Sequence, residues 1–124
     1  MSPLSRTVLL VEDGQDLGPL LRDTLEDWEW RALLVRSGGE AMEVLAREPV
    51  GLMLLDYELS DMSAADLLER LRSRKTPIPP TVLISARDRS GFHEKWPELL
   101  DVLRKPFELD ELSALLERLG PRTT

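Results

Sequence analysis

The chain contains no cysteine, few aromatic residues (5%) and a single histidine among its 124 residues. The lack of cysteine excludes disulfides and thiolate metal sites. His93 has no second ligand near it in sequence, so we interpret it as a solvated loop residue rather than a metal ligand or phosphocarrier. The apolar runs are far too short to span a bilayer, and the N-terminus lacks the apolar core of a signal peptide. We therefore expect a soluble, cytoplasmic protein.

Acidic residues outnumber basic ones: the chain has 23 aspartates and glutamates but only 16 lysines and arginines, and its formal net charge is −7. This balance argues against direct binding of nucleic acid or an anionic membrane. Most of the acidic residues are interpreted as solvated surface. The length and the 42% hydrophobic content allow one domain with a substantial core. We predict a single domain over residues 1–124, with its folded core over residues 7–119.

Short β-rich apolar runs alternate along the chain with segments of helical periodicity. The predicted strands cover residues 7–11, 32–35, 50–55, 81–84 and 102–103. Ser37 with Glu40 predicts one helix start by a capping box, and Ser63 with Asp66 predicts another more weakly. Residues 87–100 contain Gly91 and Pro97 and no sustained apolar stripe, so the fourth helix is predicted to be short or irregular. The alternation predicts an α/β fold of parallel βαβ units in a three-layer (βα)5 sandwich.

Polar residues follow four of the five predicted strands. They are Glu12 and Asp13 after the first, Asp56 after the third, Ser85 after the fourth and Lys105 after the fifth. Parallel strands end at one edge of a sheet, where ligands bind in open α/β folds. Neighbouring carboxylates repel unless a cation joins them, and hard oxygen ligands without His or Cys suit Mg²⁺. Each residue alone would be an ordinary turn residue, but the set at successive strand ends predicts a metal-assisted site where Asp56 is phosphorylated.

The motifs VLLVED, LLDYELSDM, ISA and KPF, in this order, resemble those of two-component response-regulator receiver domains. The resemblance covers Thr7 to about Leu119. It implies a flavodoxin-like fold with the strand order 2-1-3-4-5. It also implies that Asp56 is the phospho-acceptor, that Asp13 and Asp56 bind Mg²⁺ directly and that Glu12 binds it mostly through water. The backbone carbonyl of Glu58 would be a further ligand.

The resemblance assigns the remaining site residues to the phosphoryl group. Lys105 would pair with Asp56 and then with the phosphoryl oxygens, and Ser85 would hydrogen-bond one of them. Ala86 is small, as the family requires beside the phosphate. The side chains of Glu58 and Arg87 occupy positions that tune the lifetime of the phosphate, and we expect them to pair across the mouth of the site.

Receiver domains take the phosphoryl group from a sensor histidine kinase, a phosphotransfer protein or a small phosphodonor. They catalyse at most their own phosphorylation and dephosphorylation and are not metabolic enzymes. The resemblance implies signalling by protein contact through the face of the fourth helix, fifth strand and fifth helix, with homodimerisation as one possible outcome. Only five residues follow Leu119, so no DNA-binding output domain is expected in this chain.

The chain departs from the family pattern at Val102, where receivers often carry the aromatic residue that rotates when the site is phosphorylated. Two accounts stay open. Phosphorylation could shift residues 87–100 through Ser85, or this face could be a constitutive docking surface. The alternative to a working receiver is a pseudo-receiver, a phosphorylation-independent protein-binding module. A metal-dependent phosphatase is a weaker alternative, because Glu58 lies in the wrong motif context for its second acid.

Overall fold

The computed structural model describes residues 6–89 and 91–119. Within these ranges it contains one parallel five-stranded sheet in the order β2-β1-β3-β4-β5, which confirms the predicted flavodoxin-like architecture. The strands are β1 (Thr7–Val11), β2 (Arg31–Val35), β3 (Leu52–Asp56), β4 (Thr81–Ser85) and β5 (Leu99–Arg104). The helices are α1 (Leu17–Asp27), α2 (Gly38–Arg47), α3 (Ala64–Ser73) and α4 (Leu109–Leu119). None of these helices has the length and apolar character needed to cross a membrane.

The central strand β3 is buried along its whole length and divides the core into two layers. Met53 and Leu55 face one layer together with residues of α2 and α3, whereas Leu52 and Leu54 face the other with residues of α1 and α4. This alternation follows from the two-residue period of a strand whose two faces are both covered by helices. Each fully buried leucine stabilises the fold by about 1.5–3 kcal/mol. Asp56 is therefore held at the end of a strand that is buried along its whole length.

Two helix starts lie at the edge of the sheet where the strands end. At α3 the hydroxyl of Ser63 accepts from the Asp66 backbone N–H and the Asp66 carboxylate accepts from the Ser63 N–H, which completes a capping box. At α2 the hydroxyl of Ser37 accepts from the Glu40 N–H, but the Glu40 carboxylate accepts from the N–H of Arg36 rather than of Ser37. The capping box predicted for α2 is thus only half formed.

The segment between β4 and β5 confirms the prediction of a short or irregular fourth helix. Its described residues form no α-helix, only a 3-10 helix at Phe92–Glu94. Trp96 anchors this segment, since it is 1% exposed within the core layer of α2 and α3. β5 is longer than the predicted residues 102–103, because pairing with β4 begins at Leu99 and resumes after an irregularity between Thr81 and Val82. The predicted signalling face therefore contains a 3-10 helix in place of its first α-helix.

Candidate functional site

Three carboxylates meet at the edge of the sheet where the strands end. Asp56 is the last residue of β3, and Glu12 and Asp13 directly follow β1. Glu12 is 2% exposed and Asp56 is 6% exposed, while Asp13 is partly exposed. Each residue offers one carboxylate oxygen, and these oxygens lie within 4.8 Å of one another. The structure thus brings together the three acidic residues singled out in the sequence.

Lys105 is the cation that faces this cluster. Its Nζ lies 3.4 Å from Asp56 Oδ1 and 3.7 Å from Glu12 Oε1. Burial raises the pKa of Asp56, and the charge and hydrogen bond of Lys105 oppose that rise. Burial also raises the pKa of Glu12, with a further rise from the charge of Asp56 and an opposing effect of Lys105. Among the described residues, one lysine against three carboxylates leaves two negative charges uncompensated when all are ionised, which matches the charge of a divalent cation.

The donor atoms of the cluster fit Mg²⁺. Glu12 Oε1 is buried and accepts no hydrogen bond from the described residues, so one carboxylate oxygen is left without a hydrogen-bond donor. Glu12 Oε2 accepts from the N–H of Gly14 at 3.1 Å. A Cβ at position 14 would lie 2.9 Å from that same oxygen, so glycine permits the carboxylate to fold back over its own loop. Three carboxylates, one of which has a buried oxygen that accepts no hydrogen bond from the described residues, form the type of site that magnesium occupies.

A cleft of about 140 Å³ opens beside Asp56. Ser85, the last residue of β4, is 2% exposed and lines this cleft with Lys105 and Ala86. The Ser85 Oγ accepts from the backbone N–H of Arg87 at 3.0 Å and from the Arg89 Nε at 3.2 Å. A water molecule takes about 30 Å³ in the liquid, so the cleft has room for a group of several heavy atoms. The hydroxyl and the lysine border the space that such a group would fill.

Comparison with known proteins identifies the family. The sequence matches the response regulator receiver domain over residues 8–117. The chain belongs to this family. The transcriptional regulatory protein CrdR of Helicobacter pylori is 29% identical over 117 residues, which cover 93% of this chain and 55% of CrdR. The chain therefore spans about half the length of that relative.

Solved receiver structures superpose over nearly the whole chain. The non-phosphorylated receiver domain of HemR from Leptospira biflexa is 27% identical, with a TM-score of 0.79 and coverage of 95% of this chain and 98% of that one. The receiver domain of the sensor histidine kinase PA1611 from Pseudomonas aeruginosa PAO1 is 25% identical, with a TM-score of 0.74 and coverage of 93% and 97%. That structure contains a magnesium ion coordinated in its active-site cleft.

The two residues predicted from the sequence to tune the lifetime of the phosphate lie at the mouth of the cleft. Glu58 and Arg87 both line it and are both exposed. They form no ion pair with each other in the described structure, so the pairing expected from the sequence is absent here. The physical reason is that an exposed ion pair gains little over two solvated charges. The backbone N–H of Glu58 instead hydrogen-bonds the Asp56 carboxylate and, after Lys105, opposes the rise of its pKa that burial causes.

Val102 lies in β5 beside Leu83 of β4 and is half-buried against the core layer that contains Trp96. It is thus both a core and an edge-strand residue, as the sequence indicates for a position without the usual aromatic side chain. The aromatic residues near the site come from elsewhere in this receiver domain. Tyr57, directly after Asp56, contacts Phe92 edge-on with ring centroids 5.8 Å apart.

Sequence reasoning missed the residues that hold the loop after Asp56. The carboxylate of Asp61 accepts from the backbone N–H groups of Gly38 and Gly39 at 2.9 and 3.0 Å, so the loop caps the start of α2. These hydrogen bonds lower the pKa of Asp61. A side chain at Gly38 would collide with Met62. The consecutive glycines were the available signal, but nothing in the sequence pairs them with an aspartate more than twenty residues away.

Proposed function

We propose that this receiver domain accepts a phosphoryl group on Asp56 from a partner histidine kinase or phosphotransfer protein. The proposal is supported by one observation above all. A buried strand-end carboxylate lies 3.4 Å from a lysine, within a cluster of three carboxylates and beside a cleft bordered by a serine hydroxyl. Membership of the receiver family supports the same assignment. The receiver acts on itself and has no metabolic substrate.

Mg²⁺ is the cofactor of the proposal. Asp13, Asp56 and the backbone carbonyl of Glu58 would hold it directly, and Glu12 mostly through water. The bound ion supplies positive charge that neutralises phosphoryl oxygens as they approach the carboxylates. The uncompensated charge of the cluster and the hydrogen-bond-free oxygen of Glu12 support this assignment.

In the transfer step, a carboxylate oxygen of Asp56 forms a bond to the phosphorus atom of the donor. With acetyl phosphate, the bond from phosphorus to the acetate oxygen breaks, acetate leaves with the electron pair, and no proton is transferred. Lys105 shields the negative charge of the two reactants and then pairs with a phosphoryl oxygen. Ser85 donates its hydroxyl hydrogen to another, and Ala86 leaves space for the group. Water later attacks phosphorus and restores the carboxylate with release of inorganic phosphate.

The rate of that hydrolysis depends on the access of water to the phosphoryl group. Glu58 and Arg87 stand exposed where water must enter, so their side chains tune the lifetime of the phosphate. The phosphorylated state is passed on through contact of the face made by residues 91–98, β5 and α4 with a downstream protein in the cytoplasm.

Intact-mass analysis after incubation with acetyl phosphate and Mg²⁺ tests the proposal. We expect the mass of one added phosphoryl group, its loss in EDTA, and its loss in Asp56→Asn. Asp23→Asn is the matched control, because Asp23 is an exposed carboxylate on α1 and its loss changes the charge by the same amount. Labelling that persists in Asp56→Asn contradicts the assignment of the acceptor.

The second candidate is a pseudo-receiver that binds its partner without phosphorylation. It is favoured by one observation, since the described residues between β4 and β5 form no α-helix and Val102 replaces the usual aromatic side chain. A folded protein that takes up no phosphoryl group from acetyl phosphate at saturating Mg²⁺ would establish this alternative.

A further inference from the structure

The Ser85 hydroxyl is held by two donors before any phosphoryl group arrives. A hydroxyl oxygen can accept two hydrogen bonds and donate one. In this chain both accepting positions are taken, one by the backbone N–H of Arg87 and the other by the Arg89 guanidinium. The hydroxyl donates to no acceptor among the described residues. Its hydrogen is therefore free to point into the cleft that it lines beside Asp56.

The same guanidinium lies on the aromatic ring next to the acceptor. The Arg89 Cζ is 3.5 Å from the centroid of the Tyr57 ring, well inside the range of a cation–π contact. Tyr57 directly follows Asp56, and its backbone N–H donates to the Ile84 carbonyl of the neighbouring strand. The Arg89 side chain thus joins Ser85, the last residue of β4, to Tyr57, which directly follows β3.

From Tyr57 the contacts continue away from the cleft. Phe92 meets Tyr57 edge-on, and the Phe92 and Trp96 ring centroids are 6.5 Å apart. Trp96 in turn carries the Arg72 guanidinium of α3 at 4.1 Å from its ring centroid. We call Tyr57, Phe92 and Trp96 the aromatic stack. It connects the site to the segment between β4 and β5 and to the outer surface of α3.

We propose that Arg89 is a positioning residue of the acceptor site, which presents the Ser85 hydroxyl as a hydrogen-bond donor to the phosphoryl group and couples that hydroxyl to the aromatic stack. This inference rests on the proposed function of Asp56. A phosphoryl group bound in the cleft draws the Ser85 hydroxyl and offers new anionic oxygens to the guanidinium beside it. Arg89 then shifts on the Tyr57 ring, and the stack carries that shift to Trp96. The coupling uses Arg89 and Tyr57 where other receivers use an aromatic residue at the position of Val102.

The effect of Arg89 on loading is measured as the initial rate of labelling by acetyl phosphate with Mg²⁺. Loss of a charge-assisted hydrogen bond predicts a rate about tenfold lower in Arg89→Ala. Arg89→Lys should recover part of the rate, because an ammonium group still donates to the hydroxyl but lacks the planar fork. Arg47→Ala is the charge-matched control, since Arg47 ends α2 at the opposite edge of the sheet.

A double-mutant cycle separates positioning from a general structural or charge effect. If Arg89 acts through Ser85, Arg89→Ala causes no further loss of rate in a Ser85→Ala background. An equal tenfold loss in both backgrounds, or a rate in Arg89→Ala within twofold of the parental rate, overturns the proposal. Failure of the parental protein to label at Asp56 would instead refute the proposed function and this inference together.

The second part of the proposal is tested at Trp96 in protein labelled with 5-fluorotryptophan. The three tryptophans give three fluorine resonances, and Trp96→Phe assigns one of them. Beryllofluoride, a phosphoryl mimic, should shift the Trp96 resonance in the parental protein and leave it in place in Arg89→Ala. Phe92→Leu should abolish the shift while acetyl phosphate still labels Asp56 at the parental rate. A Trp96 shift of parental size in both variants overturns the coupling.

Discussion

Neutralising Asp13 should stabilise the metal-free protein and remove most of its response to magnesium. Asp13 is the suitable position because it belongs to the acidic cluster but forms no ion pair with Lys105 among the described contacts. Replacing Asp56 would remove the attraction of Lys105 at 3.4 Å together with the repulsion, so the two effects would oppose each other. Asp13→Asn removes repulsion alone and keeps the shape of the side chain.

The magnitude follows from the geometry of the cluster. With an effective dielectric constant of about 20, Coulomb's law gives about 3.5 kcal/mol for two unit charges at the 4.8 Å limit of the cluster. Asp13 is partly exposed, so water and salt reduce its repulsion with each neighbour. We expect Asp13→Asn to raise the free energy of unfolding by about 1–2 kcal/mol in EDTA.

Urea unfolding at pH 7 in EDTA and in excess Mg²⁺ measures both effects. A ligand at a hundred times its Kd stabilises the folded state by about 2.7 kcal/mol, and the parental protein should show a gain of this order. Asp13→Asn should gain far less, because it has lost a charged ligand. Asp23→Asn controls for the change in net charge and should respond to Mg²⁺ like the parental protein. A metal-free Asp13→Asn variant that is less stable than the parental protein would refute the idea that the Asp13 carboxylate is repelled by its neighbours more than it is stabilised by its surroundings.

Three further outcomes are expected from urea unfolding. Burial raises the folded-state pKa of Glu12 and Asp56, so the folded chain binds these protons more tightly than the unfolded chain. In EDTA, the free energy of unfolding should therefore increase as pH falls through the raised pKa values, and the increase should be complete below the ordinary values of 4.5 and 3.8. Glu12→Gln should lose the part of this increase that comes from Glu12. Asp61→Ala should lower the free energy of unfolding by about 1 kcal/mol, because it removes the carboxylate that caps Gly38 and its neighbour, and an unchanged value would show that the cap contributes nothing. Lys75→Gly should raise it by about 1 kcal/mol, because Lys75 has a φ of 58° at the end of α3, and a loss would mean that its side chain matters more than its backbone.

The fold was predictable where its physical cause is local. Apolar runs of strand length alternate with helical stripes, and covered parallel sheets need this alternation. The helix ends were harder to find, because α1 and α3 both close with hydrogen bonds around a residue of positive φ that is not glycine. Glu29 takes this position after α1 and Lys75 after α3, so the usual glycine signal is missing. The start of β5 at Leu99 depends on pairing with β4, which no local pattern contains.

The candidate site was predictable to the extent that it lies at strand ends. Parallel strands finish at one edge, so the positions of Glu12, Asp56 and Lys105 in the sequence were enough to expect them together. Arg89 could not be found in this way, since it belongs to a segment without periodicity and its partners lie on two different strands. The burial of Trp96 could not be predicted either, because a single buried ring can anchor a segment that has no apolar stripe.

The proposed loading and signalling steps depend on interactions of different strength. The carboxylates sit at the ends of buried strands, where the packing of many apolar side chains fixes them. The segment after β4 is attached to the site by contacts such as that of Arg89 on Tyr57, and a cation–π contact contributes about 0.5–2 kcal/mol. A hydrogen bond to a charged group contributes about 1.5–3 kcal/mol. Redirecting the Ser85 and Arg89 hydrogen bonds to a phosphoryl group is therefore enough to shift the equilibrium between two positions of the Arg89 side chain on the Tyr57 ring. Under the proposed coupling, we therefore expect a receiver without the aromatic side chain at Val102 to signal through the contacts of Arg89 with Ser85 and Tyr57 rather than through a movement of the sheet.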